Sequence, residues 1–154
     1  MDQRRLAALQ KRMKDAGDKG LTRELSKGMK AAAEPIAAAE RSAAQSLPAS
    51  GSKSTGLRAA IASAVSIRYS RSKRNPGVRV YVPARKMPQG QGRLPRLMNK
   101  GAWRHPVYGN KNNWVEQKSD RGWWDDTAKK ELPRVRRELA AAIERVTQKI
   151  GRGV

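Results

Sequence analysis

The chain has 154 residues, enough for one domain, and carries 34 lysines and arginines against 13 acids for a net charge of +21. It has no cysteine, which excludes disulfides, thiolate catalysis and cysteine-based zinc sites together. Hydrophobic residues are 38% of the sequence and many are alanine, which buries little area, so the core is expected to be thin. A surplus of this sign seeks polyanions: nucleic acid or acidic protein surfaces.

The first residues, MDQRRLAALQKRMKDAGDKG, are charged throughout and lack the apolar run of a signal peptide. No stretch approaches the roughly 18–20 apolar residues of a membrane span. These features predict a protein that works in a cytosol, or in something assembled there, without a membrane.

Leu6, Leu9 and Met13 make a short helical stripe, set off by Gly17 and Gly20 as an N-terminal arm over residues 1–20. A single domain is expected over 21–154. Within it, Leu25, Met29, Ala32, Ile36, Ala39, Ala43 and Leu47 step by three and four, the stripe of a long helix. Pro35 removes a bond to the Ala31 carbonyl and predicts a kink there, or a break into two helices. Pro48 to Gly56 reads as a linker. Leu57, Ala60, Ile61 and Ala64 give one or two helical turns.

Val65, Ile67 and Tyr69 then alternate with polar residues, as do Val78, Val80 and Val82, on either side of the turn RSKRNPG. This is a β-hairpin with one aliphatic and one arginine-bearing face. Prolines and glycines interrupt residues 83–101 apart from a helical turn around Leu94 to Asn99, and Trp114 with Val115 suggests a further short strand. Leu132, Val135, Leu139, Ile143, Val146 and Ile150 mark a final helix. Asp125, Asp126 or Thr127 is expected to cap it, Pro133 to sit in its first turn and Gly151 to end it. The order predicts an α+β fold: a long kinked N-terminal helix and a C-terminal helix packed on a small antiparallel sheet, with a long aromatic-bearing loop.

That loop, Trp103 to Asp125 within AWRHPVYGNKNNWVEQKSDRGWWDD, holds all four tryptophans, the only histidine and Tyr108, in a chain with no phenylalanine. Loops normally leave large aromatics to regular buried elements, so these pack back onto the domain or enter a partner. Trp103, Arg104, His105, Trp114, Trp123 and Trp124 are therefore the candidate partner-interface residues. Trp123 and Trp124 would point to opposite sides of an extended segment, one inward and one to a partner, unless both fold under the last helix.

His105 has no nucleophile or orienting acid at a motif spacing; a histidine pinned before Pro106 in a turn and bonded to backbone is the expected role. No metal, cofactor or catalytic set is nominated, and the expectation is a protein that is not an enzyme. Residues 57–124 carry fifteen basic side chains against Glu116 and Asp120. Arg68, Arg71, Lys73, Arg74, Arg79, Arg85 and Lys86 are candidates to meet acidic partners or DNA. Arginine interleaved with tryptophan also suits single-stranded nucleic acid, although no recognition-helix, zinc-finger or RNA-recognition signature accompanies it.

The segments AAAEPIAAAERSAAQSLP and STGLRAAIASAV, and most of all LPRLMNKGAWRHPVYGN…NWVEQ…GWWDD before a Leu/Val helix, resemble the tail-completion proteins of long-tailed siphophages. These are also called neck, head-to-tail connector or minor tail proteins, and the similarity is closest to versions in phages of actinobacteria. It covers roughly residues 21–150, with Trp103, His105, Pro106, Gly109, Trp114, Gln117, Gly122 and Trp123 at the signature positions. The basic segment Arg85 to Arg96, which includes RKMPQGQGR, departs from the pattern. The resemblance implies a structural virion protein without catalytic site or cofactor, assembled in the host bacterial cytoplasm. It implies a homo-oligomeric ring, sixfold to match the tail, that touches the stopper, tail terminator or tail tube and meets genomic DNA non-specifically. The alternative is a non-enzymatic basic nucleic-acid-binding protein.

Overall fold

The computed structural model describes residues 3–15, 19–48, 56–71, 77–107 and 109–151. It is α+β, with helices α1 (Gln3–Asp15), α2 (Lys19–Ser46), α3 (Leu57–Ala64), α4 (Leu94–Lys100) and α5 (Trp123–Gly151). The strands are β1 (Ser66–Ser70), β2 (Gly77–Tyr81), β3 (Ala102–Val107) and β4 (Asn110–Lys118). They form two separate two-stranded antiparallel sheets, β1–β2 and β3–β4, where the sequence suggested one small sheet. Gly17, most of the expected linker, Tyr108 and the hairpin-turn residues Lys73 and Arg74 lie outside the described residues.

The chain divides into two compact units. The first contains residues 1–37, 67–81 and 131–154, and so takes in α1, much of α2, most of the β1–β2 hairpin and most of α5. Its core joins Leu6, Leu9 and Met13 of α1 to Leu21, Leu25, Met29 and Ala32 of α2 and to Val135, Leu139 and Val146 of α5. Residues 1–20, expected to form an arm, thus supply three side chains to this core. Gly20 lies inside α2 and does not separate two helices. A Cβ at Gly28 would stand 3.1 Å from the Ala142 Cβ, so α2 and α5 approach closely where small residues face each other. Tyr69 and Val78 of the hairpin pack against the same core. Arg68 and Arg79, at the strand centres, are exposed, as the alternation predicted.

The second unit contains residues 38–66 and 82–130. Its core gathers Ala44, Leu47, Ile61, Ala62, Ala64, Met87, Met98 and Trp123, with Val82, Trp103 and Trp124 packed against it. Apart from Trp123 the buried side chains are three alanines, one leucine, one isoleucine and two methionines, so the indole is the largest apolar group among them.

The helix α2 passes through Pro35 as one element, so the break into two helices, the alternative to a kink, does not occur. The last helix differs from expectation. The helix α5 begins at Trp123, which leaves Pro133 inside it instead of in its first turn, and Leu132 is exposed at 36%. Hydrogen bonds from α4 fix that early start.

Candidate functional site

The aromatic stretch is a hairpin followed by a helix start, where irregular chain with one short strand was expected. β3 pairs with β4 from Ala102↔Lys118 through Pro106↔Trp114, and the register shifts between Pro106 and Val107. Proline lacks the N–H that a ladder needs, and irregularities are where sheets tolerate it. Gly109, at φ 78°, provides the left-handed backbone of the turn. Along β3 the odd positions Trp103, His105 and Val107 are half-buried while Ala102 and Arg104 are exposed. All nine residues of β4 are exposed.

Trp114 therefore stands in solvent, 48% exposed; of the two expectations, burial under the last helix or by a neighbouring subunit, the first does not hold. Its indole N–H donates to the Lys111 carbonyl at 2.7 Å. Arg104 lies diagonally across the ladder with its guanidinium 6.0 Å from the Trp114 ring centroid, a cation–π contact worth about 0.5–1 kcal/mol when exposed. Val115 beside it is 39% exposed. The Lys118–Glu116 pair at 3.9 Å is too open to water to add much. His105 bonds to backbone as expected, its Nδ1–H donating to the Pro106 carbonyl at 3.1 Å in that tautomer, but it does so from strand β3 and not from a turn.

Trp123 and Trp124 are helical, not extended, and both pack in the second unit: Trp123 is buried in its core and Trp124 lies against it. The rings meet edge to face with centroids 5.5 Å apart. Asn99, at the end of α4, holds this corner. Its Oδ1 accepts the Trp124 N–H at 3.0 Å and the Asp125 N–H at 3.3 Å, and its amide donates to Asp125 Oδ2 at 2.9 Å. Its backbone carbonyl accepts the Gly122 N–H at 2.8 Å. Ser119 Oγ–H donates to the Met98 carbonyl at 2.6 Å and the Ser119 N–H to that of Gly101 at 2.9 Å. The first N–H groups of any helix lack partners within it. Here a side chain from another helix supplies them, in place of the local caps expected at Asp125, Asp126 or Thr127. Asn99→Ala strips those bonds and should cost about 1–3 kcal/mol, read as a lower urea midpoint at unchanged slope; an unchanged midpoint would refute the clasp.

Glu40 of α2 is buried at 0% exposure, and neither carboxyl oxygen has a hydrogen-bond partner among the described residues. Burial, with the Asp125 carboxylate adding repulsion, pushes its pKa from the ordinary 4.5 up to about 8. The indole nitrogens of Trp103 and Trp123 are likewise buried without a partner among the described residues.

Arg68, Arg71 and Arg79 belong to the first unit and Arg85 and Lys86 to the second, all five exposed. Lys86 donates to Ser66 Oγ at 3.0 Å. Among the described residues no group of three or more His, Asp or Glu side chains is placed to hold a metal ion, and no helix is long and apolar enough to cross a membrane. Compared with protein-family models, curated proteins and solved structures, the chain has no significant match.

Proposed function

We propose that this chain is a structural protein of the bacteriophage neck, a subunit of a sixfold ring that completes the tail at the head–tail connector. The observation that carries the reading is the β3–β4 hairpin: two strands, one exposed along its length, presenting Trp114 and Val115 to solvent. An isolated two-stranded sheet is marginal in water, and a free edge is a template for pairing with another chain. A tryptophan stacked with arginine is the kind of anchor that dominates interfaces once water is excluded. A neighbouring subunit, stopper, tail terminator or tail tube covers this hairpin in the particle.

The rest of the reading follows from the resemblance and the charge. The protein has no catalytic role and needs no cofactor; its surplus positive charge faces acidic neighbours or the DNA that passes through the neck. It works in the virion after assembly in the host cytoplasm. The bend expected at Pro35 belongs to this reading as well.

The test is Trp114→Ala in a phage that carries the gene. Because the indole is exposed and its removal loses only the surface contacts with Arg104 and Lys111, the purified variant should unfold within about 1 kcal/mol of the parent. Heads and tails should nevertheless accumulate unjoined. Virions at normal yield would sink the proposal.

A further inference from the structure

The first unit contains a cleft of about 870 Å³, at the upper end of the range for ligand sites. Its floor is apolar, with Met13 and Leu25 buried at 2% and 1% exposure. Its walls carry Lys14 from α1, Lys19, Arg23 and Lys30 from α2, and Arg71 after β1, with no carboxylate among the lining residues. All five cations are exposed, and none forms an ion pair among the described residues. Elsewhere in this unit Lys149 is matched by Glu24 at 2.8 Å.

Lys19, Arg23, Ser26 and Lys30 recur at four, three and four along α2, so they share one helix face. That face puts a row of cations, not a point charge, along one wall. Opposite it, Gln10 Nε2 donates to the Tyr69 hydroxyl at 2.6 Å, fixing α1 to β1 behind the cations. A preformed groove with an apolar floor and a row of cations matches a ligand with contiguous phosphates. Its volume suits a few nucleotides of one strand; a duplex is wider.

We infer that this cleft binds the phosphate backbone of single-stranded nucleic acid, without sequence preference. The inference stands apart from the neck reading and on different residues from the hairpin. Binding is carried by counterion release and falls with salt, each neutralised phosphate adding about −0.7 to the slope of log K against log salt.

The test uses the purified full chain and a fluorescently labelled oligothymidylate, followed by anisotropy across a salt series. Lys19→Glu with Arg23→Glu should weaken binding about tenfold or more and flatten the slope by about 0.7 for each phosphate no longer neutralised. Lys14→Gln with Lys30→Gln, at exposed positions, should act in the same direction, and circular dichroism verifies that each variant is folded. The control is Arg134→Glu with Arg137→Glu, an equal charge change at exposed positions of α5 outside the cleft, which should leave affinity within about twofold if binding is local. Inorganic tripolyphosphate should displace the oligonucleotide competitively. Equal losses of affinity in the cleft and control variants would overturn the site. Binding of tripolyphosphate without binding of oligothymidylate would overturn the strand in favour of a free polyphosphate.

Discussion

Trp123→Ala should lower the stability of the folded chain by about 3–5 kcal/mol, the cost of removing a large buried aromatic and leaving a cavity. The indole is 7% exposed in a cluster otherwise made of alanines, one leucine, one isoleucine and two methionines. Few neighbours are large enough to collapse into the space. The edge-to-face contact with Trp124 goes too, about 0.5–1.5 kcal/mol in its own right. Since small domains hold only about 5–15 kcal/mol in total, this substitution should consume much of the margin. Urea unfolding of Trp123→Ala beside Trp114→Ala makes the comparison: a large drop for the buried indole and a small one, about 1 kcal/mol at most, for the exposed one. Equal drops would contradict the assignment of one tryptophan to the core and the other to a surface.

The second large effect is one of pH. Glu40 has its folded-state pKa raised from 4.5 to about 8, so the folded chain holds a proton there that the unfolded chain releases. A group shifted in this direction contributes its full stability below the unfolded pKa of 4.5. The contribution is lost as pH rises from there through about 8, at up to about 1.4 kcal/mol per pH unit. Above the folded pKa the buried carboxylate is charged beside Asp125, and the penalty levels off. Glu40→Gln mimics the protonated form. It should match the parent within about 1 kcal/mol near pH 5 and exceed it by several kcal/mol near pH 9. Taking the difference between the two proteins removes the titration common to both. Parallel stability curves across this range would contradict the buried, unpaired carboxyl.

Glu40 also shows where the sequence was legible and where it was not. Leu25, Met29 and Ala32 mark the buried face of α2 without ambiguity, because leucine and methionine have no equal on the other faces. Beyond Pro35 the tract is alanine in either register. The positions Ile36, Ala39 and Ala43 read as the stripe, being apolar throughout. They are half-buried, and full burial instead follows Ala33, Ala37, Glu40, Ala44 and Leu47. One residue of rotation puts an acid in the core, and apolar periodicity scores against that choice. The β1–β2 hairpin was readable for the opposite reason: branched residues alternate with arginine around Asn-Pro-Gly, and each signal agrees with the next.

In the aromatic stretch composition was a good guide and local pattern a poor one. Of the four clustered tryptophans, Trp103, Trp123 and Trp124 build the core of the second unit while Trp114 stands in solvent, and His105 bonds to backbone as its place before Pro106 suggested. The β3–β4 pairing was missed because Pro106 and a run of polar residues from Asn110 to Asn113 hide a strand whose side chains all face solvent. The start of α5 was missed because its cap comes from Asn99, more than twenty residues upstream. The only local trace is Gly101 after Asn99, a left-handed residue at φ 91° that ends α4 where Arg121 leaves no room for a Cβ.

The measurement that bears most directly on the neck reading is a localised cryo-EM reconstruction of the head–tail junction in particles of a phage that carries this gene. The account predicts a ring of six copies between head and tail, with the β3–β4 hairpin and Trp114 buried against a neighbouring protein. A single copy on the axis, or particles that lack the chain altogether, would contradict it.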